Sequence, residues 1–414
     1  MKAIINLNQL VTCSHTSSKA KRGPEMNDVG VISNGAIIID NGLIRGVGST
    51  YSLQKTIDKI PKENIIDGKG KIVIPGFVDS HTHAIFAGTR EAEFAMRLQG
   101  KAYMDILLAG GGILSSRQKL IDSTDDEIIE QTKARFDRMM AFGTTTVEAK
   151  SGYGLSTEQE LRSLELLKAL SDRHAIEVQS TFLGAHAIPP EYKDSKADYV
   201  SLVCNEMIPI IASKKLAKYC DVFCEKGVFD VEDTERIFET AISHGLELRL
   251  HSDEIEALGG TELACALGAR SVDHLIAVTN SGLKALEKCE TIANLLPGTS
   301  YSLMKTFAPG REMIDRNIAI SLSTDCNPGS CYTESMPMII SLACLNMKLT
   351  PAEALNAATF NGACSLGIQD RVGSLEMGKE ADLLLMDMQS YEAIPYHFGI
   401  NPVLRTMKFG EWIS

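Results

Sequence analysis

The 414-residue chain is read as an α/β protein, a (β/α)8 TIM-like barrel carried on a small β-sandwich domain built from both chain ends. Three observations predict it. Short apolar or β-branched runs alternate with helix patterns through the middle of the chain. Both ends carry strand–turn–strand patterns instead. Residues able to do metal and acid–base chemistry stand where the middle runs stop, which is where a barrel of this kind places its site. Boundaries drawn on these patterns give residues 1–73 plus 372–414 for the sandwich and 74–371 for the barrel.

At the first end, Ala36-Ile-Ile-Ile-Asp40 and Leu43-Ile-Arg-Gly-Val47 flank Asn41-Gly42. Asn-Gly suits a two-residue hairpin turn because both central residues of a type I′ turn need positive φ. Asp67-Gly68 and Lys69-Gly70 mark a second turn before residues 71–75. At the other end, residues 373–383 read as a turn leading into the strand Leu384-Leu-Met386.

In the middle, eight runs read as strands: residues 76–83, 144–150, 177–183, 221–225, 247–251, 271–274, 291–296 and 318–324. Helix patterns separate most of them. Thr124-Asp-Asp-Glu127 opens one, running towards Met140. Thr157-Glu-Gln-Glu160 fits a capping box, followed by Leu161, Leu164, Leu167 and Leu170 at helical spacing. Residues 234–243, 261–267 and 351–359 complete the helical set.

Composition narrows the class. With 44% hydrophobic and 23% charged residues the chain is an ordinary globular mix, which excludes disorder as its main state. A net charge of −12 argues against a nucleic-acid partner, which needs a basic face, yet leaves room for a local cationic pocket. No secretory pattern opens the chain, and its apolar runs, such as residues 336–345, fall far short of the roughly 20 residues of a membrane helix. The ten cysteines are scattered with no C-x-x-C pair; Cys220 and Cys224 are better read as isolated buried thiols than as half of a metal site. The expectation is a cytoplasmic protein with reduced thiols and no membrane partner. Ala109-Gly-Gly-Gly112 matches neither phosphate-loop pattern and reads as a turn.

The first run ends Asp79-Ser-His81-Thr-His83, and residues two apart on a strand share a face, so both imidazoles can point into the barrel mouth. The fifth ends at His251 with Glu254 three residues on, the sixth at Asp273-His274 and the eighth at Ser323-Thr-Asp325. Each piece has a bland reading: a chance His-x-His, a core histidine, a helix cap. Jointly, two adjacent imidazoles, a third imidazole and a carboxylate make a first-row metal site with room for water. His15, His174, His244 and His397 have no such placement and read as surface or structural.

Pro75-Gly-Phe-Val-Asp-Ser-His-Thr-His83 resembles the opening metal motif of the amidohydrolase superfamily, and residues 373–382 look like its closing sheet segment. Within that superfamily the chain resembles the imidazolonepropionase family. The segments are His81-Thr-His-Ala-Ile-Phe-Ala-Gly-Thr-Arg90, Glu148-Ala-Lys-Ser-Gly-Tyr-Gly154, Thr181-Phe-Leu-Gly-Ala-His186, His251-Ser-Asp-Glu254, Asp273-His274 and Ser323-Thr-Asp-Cys-Asn-Pro-Gly-Ser330. The resemblance implies hydrolysis of 4-imidazolone-5-propanoate to N-formimidoyl-L-glutamate, one divalent metal, zinc or iron, and a homodimer. His81, His83, His251 and Asp325 would hold the metal. Asp325 would act as base and then acid, His274 would donate to the developing oxyanion, and Glu254 would bind a ring nitrogen or orient water. Arg90 would take the propionate of this small anionic substrate, although without the resemblance it reads as a salt bridge to Glu91 or Glu93. Tyr153 and His186 would make further substrate contacts, Tyr103 would close over the site, and Asn327, Gly329 and Ser330 would offer donors to carboxylates. Glu225 or Lys226, at the end of the fourth run, are the candidates for a second metal, and Lys150 ends the wrong strand for one. A heterocycle deaminase on the same scaffold is the nearer alternative, and a barrel scaffold without catalysis the distant one.

Overall fold

The computed structural model describes residues 1–101 and 111–413. The chain ends meet in one sheet of eight strands. The first end supplies β1 (Lys2–Val11), β2 (Val31–Asp40), β3 (Leu43–Ser49), β4 (Ile65–Asp67) and β5 (Ile72–Pro75). Asp40 pairs with Leu43 across the Asn41-Gly42 turn, whose residues have φ of 51° and 78°, the positive values the dipeptide predicts.

The middle of the chain forms eight parallel strands in sequence order: β6 (Phe77–Asp79), β7 (Thr144–Lys150), β8 (Glu177–Ala185), β9 (Tyr219–Cys224), β10 (Glu247–Ser252), β11 (Ser271–His274), β12 (Ile292–Leu295) and β13 (Ile320–Leu322). Each lies within a few residues of its predicted run. The seam between β13 and β6 is closed by side chains and one bridge. Thr82 pairs with Cys326, and the buried Asp79 carboxylate accepts from the Thr324 amide at 3.0 Å and hydroxyl at 2.6 Å. Burial pushes Asp79 up to about 7, against the pull of those hydrogen bonds.

The last strands are β14 (Leu383–Met386), β15 (Val403–Lys408) and β16 (Glu411–Trp412). Antiparallel pairing of β14 with β5 joins the two chain ends, and β5 runs on through Gly76 into β6. Alternation then serves two cores. Ile72, Ile74, Leu384 and Met386 face the barrel's apolar shell. Val73, Leu383 and Leu385 face a separate core with Ile4, Leu10 and Ile37.

Thr124 and Glu127 form a capping box on the helix Asp125–Ala141, a feature worth about 1 kcal/mol that the sequence reading did not assign. The helix Thr157–Ser171 is capped instead by Ser156, whose hydroxyl accepts from the Gln159 amide, and no box forms there. Glu160 is turned inward and fully buried; its carboxylate accepts from the amides of Gly152, Gly154 and Leu155 at 2.8–2.9 Å. A loop with three inward amides needs an acceptor more than the helix end does.

All ten cysteines are free, Cys220 and Cys224 being buried. No helix among the described residues is long and apolar enough to cross a membrane.

Candidate active site

The strand ends bring the predicted ligand atoms together. His81 and His83 follow β6, His251 lies in β10, and Asp325 follows β13. Asp325 Oδ1 lies 3.5 Å from Nε2 of His81 and 3.5 Å from Nε2 of His83, and Nε2 of His83 lies 3.3 Å from Nε2 of His251. Four donors around a first-row metal at about 2.1 Å in a tetrahedron stand about 3.4 Å apart. His81 Nε2 and Asp325 Oδ1 are buried without a hydrogen-bond partner, so the donor set fits a divalent cation.

What aims these imidazoles lies beneath them. His81 Nδ1 donates to Asp273 at 2.7 Å and His251 Nδ1 to Asp221 at 3.0 Å, which leaves Nε2 of each as the ligand atom. Lys150 Nζ reaches Glu148 at 2.7 Å and Asp221 at 2.8 Å, and Arg249 stands 3.7 Å from Asp273. Glu148 also accepts from the Thr82 amide at 3.1 Å, fixing the backbone between the two histidines. All five charged residues are fully buried. Burial works against the charge on Lys150, but Asp221 and Glu148 outweigh it and hold its ammonium above the usual range. Burial would likewise raise Asp221, and His251 and Lys150 instead hold it well below the carboxylate range. Burial, with Lys150 and the neighbouring imidazoles, keeps His81 neutral; burial, His186 and His251 do so for His83.

These five were not singled out as a network by sequence reasoning. The signal was present: Glu148 and Lys150, or Arg249 and His251, are charged or polar residues two apart in strands that are buried along almost their whole length, so they share one face. Lys150 is committed to two carboxylates. Glu225 and Lys226 do not face the cluster. Glu225 accepts from the amides of Ile255 and Glu256 at 2.9 and 3.0 Å, pinning the loop that carries Glu254, and Lys226 pairs with Glu256 on the surface.

Above the cluster opens a cavity of about 450 Å³. His83, His251, His274, Asp325 and Glu254 line its floor, with Arg90, Tyr153, His186, Asn327, Gly329 and Ser330 around them. Tyr103 lies outside the described residues. Asp325 and His274 have φ of 54° and 80°, the left-handed region, which Asp and His enter more readily than most side chains. Burial raises Asp325 to about 6, partly offset by His274 and by the Thr299 hydroxyl, which donates to Oδ2 at 2.5 Å. Thr299, in the helix Pro297–Ser302, was not foreseen. His274 Nε2 is 3.7 Å from Glu254.

His186 donates from Nδ1 to the Gly152 carbonyl at 2.9 Å, and burial beside His251 lowers it to about 3. It is therefore neutral with a bare Nε2, an acceptor stacked 4.9 Å from His83. Two expected donors are already engaged. Arg90 gives Nε and Nη2 to Glu93 at 2.9 and 2.7 Å, the ion pair foreseen for it without the family resemblance. Asn327 donates to the Asp325 carbonyl and Ser330 hydroxyl at 2.7 and 2.8 Å and accepts from the amides of Gly329 and Ser330, both at 2.8 Å, so it shapes the turn behind the site.

Comparison with known proteins agrees. The profile described as "Amidohydrolase family" matches residues 229–413. The chain is 47% identical to the imidazolonepropionase of Alkaliphilus metalliredigens, covering 99% of this chain and 97% of that one. It is 45% identical to the imidazolonepropionase of Geobacillus thermodenitrificans, with coverages of 97% and 95%. Among solved structures, a guanine deaminase of E. coli superposes with a TM-score of 0.74 at 16% identity, over 100% of this chain and 99% of that one, a likeness of fold.

Proposed function

The chain belongs to the imidazolonepropionase family of the amidohydrolases, and we propose that it hydrolyses the ring amide of 4-imidazolone-5-propanoate to N-formimidoyl-L-glutamate in histidine degradation. The single observation that carries this reading is the convergence of three imidazole Nε2 atoms and the Asp325 carboxylate at 3.3–3.5 Å under a cavity of substrate size. His81, His83, His251 and Asp325 would hold one divalent ion, and three nitrogens with one oxygen suit zinc or iron(II). When bound, such an ion lowers the pKa of water and polarises a carbonyl, which gives a nucleophile at neutral pH.

The chain's own residues supply the rest. Asp325 takes the proton of the attacking water as it adds to the ring carbonyl carbon. His274 donates to the oxygen that gains charge. Asp325 then passes the proton to the leaving ring nitrogen, the carbon–nitrogen bond breaks, and the carboxyl group left on the former carbonyl carbon gives its remaining proton to the basic formimidoyl nitrogen of the product. His186 Nε2 accepts from a ring N–H and Glu254 from the other end of the ring. Tyr153, packed 5.5 Å from His186, closes the wall on that side.

The test is direct turnover of imidazolone propionate, followed as loss of ring absorbance, with and without a chelator. Loss of activity on chelation and recovery on adding metal is the expected result. Release of ammonia in place of ring opening would assign a deaminase instead, and turnover unaffected by thorough metal removal would overturn the metal site.

A further inference from the structure

Seven of the ten cysteines are buried, and Cys265, Cys289 and Cys344 are partly exposed. Two of these three meet. Cys265 stands in the last turns of the helix Gly260–Leu267, which follows β10. Cys289 lies just past the helix Asn280–Leu286, where the chain turns into β12. The two helices pack against each other, so the pair is held by ordered backbone on both sides. The sulfurs are 2.7 Å apart, and a closure of well under 1 Å brings them to the bonding distance of about 2.05 Å. Neither sulfur lines the cavity above the metal cluster, so ring opening makes no use of them. The surroundings favour a nucleophile at Cys289. Arg22 donates from Nη2 to the Cys289 carbonyl at 2.7 Å, which sets a guanidinium beside it. Sharing a proton with Cys265 lowers the Cys289 thiol below the usual range, whereas burial pushes Cys344 up to about 12.

We infer that Cys289 and Cys265 form a redox modification site, at which a hydroperoxide converts the two thiols into one disulfide. The site stands apart from the substrate reading above. The Cys289 thiolate attacks a peroxide oxygen, a sulfur–oxygen bond forms, the oxygen–oxygen bond breaks and hydroxide leaves. The Cys265 sulfur then attacks the Cys289 sulfenic acid, the sulfur–sulfur bond forms, and the hydroxyl departs as water with the Cys265 proton. Two electrons and two protons leave the thiols, and one hydrogen peroxide becomes two waters. The bond joins residues 24 positions apart and ties the helix after β10 to the entry of β12.

The experiment treats the folded full-length protein, loaded with zinc because zinc has no redox chemistry of its own, with a small molar excess of hydrogen peroxide. Remaining thiols are then blocked and the chain is digested with trypsin without reduction. Cleavage after Lys and Arg leaves Cys265 in residues 250–270 and Cys289 in residues 289–305, each peptide with no other cysteine. The expected product is these two peptides linked, two hydrogens lighter than their sum and separated again by dithiothreitol. Closing a loop of this length should raise Tm by roughly 2–4 °C, reversibly. In Cys265→Ala the resolving sulfur is gone, so Cys289 should react more slowly and be caught by dimedone as the sulfenic acid, with no rise in Tm. Cys265→Ser repeats the comparison should the alanine variant fold poorly. Peroxide that leaves both thiols free overturns the assignment, as does peroxide that takes Cys289 to the sulfinic acid without the linked pair, or that oxidises Cys344 as fast. Oxidation that lowers Tm overturns it too, because the bond would then form only at the expense of the fold.

Discussion

Replacing Lys150 with Met should weaken metal binding although Lys150 touches no metal. Its ammonium is fully buried between Glu148 at 2.7 Å and Asp221 at 2.8 Å. In the network beneath the cluster, Glu148, Asp221 and Asp273 face Lys150 and Arg249, a net charge of −1 that K150M turns into −2. Removing one partner of a buried pair costs about 3–5 kcal/mol. For a chain of this length, with unfolding entropy of about 2.1 cal/mol/K per residue, that lowers Tm by roughly 3–6 °C. The molecule relieves part of the cost by protonating a carboxylate, and a protonated Asp221 no longer fixes the Nδ1–H tautomer of His251. Loss of such a partner behind a metal ligand typically weakens the metal by about 10–100-fold. Competition against a chromophoric chelator measures the affinity, and differential scanning fluorimetry the Tm. The double variant E148Q/K150M, which also removes a carboxylate, should regain much of the stability. A K150M protein that melts within about 1 °C of wild type and holds metal as tightly would refute the idea that this ion network positions the site.

Three further outcomes follow from the same geometry. Asp325→Ala removes both a ligand and the proposed base, and an enzyme so altered that is fully metallated yet turns over at near wild-type rate would remove Asp325 from the chemistry. Thr299→Val removes the hydroxyl that holds Asp325 Oδ2 in place, so kcat should fall by roughly tenfold with bound metal unchanged. A kcat equal to wild type would show that this hydrogen bond does not orient Asp325. Elsewhere in the barrel, Cys265 and Cys289 stand side by side, and sharing a proton between them lowers the Cys289 thiol below the usual range. Cys289 should be the first thiol alkylated by iodoacetamide at pH 7, and Cys265→Ala should slow it. Equal labelling in the two proteins would contradict the shared proton.

Much of the site was legible because strand periodicity and chemistry coincide. His81 and His83 share a face by spacing alone, and the ends of the runs give the order in which the ligands meet. Glu160 shows the limit. Its spacing from Thr157 satisfies a capping box, yet it serves the loop that carries Tyr153, because three buried amides without an acceptor cost more than one unboxed helix end. Arg90 shows another: the sequence offers Glu91, Glu93 and a substrate carboxylate as partners, and the folded chain shows that the pair with Glu93 forms through Nε and Nη2. Asn327 offers donors on paper, and its own turn consumes them.

By itself the sequence determined the alternation of strands and helices, the closure of both ends into one sheet, and which side chains converge as candidate metal ligands, since these depend on period and local pattern. Tertiary structure alone decided how charge is distributed. Lys150 and Asp221 are 71 positions apart and meet only when β7 and β9 stand in one barrel, and Thr299 reaches Asp325 across a turn of the wall. Ionic and hydrogen-bond partners are fixed by distance in space, to which separation along the chain is no guide.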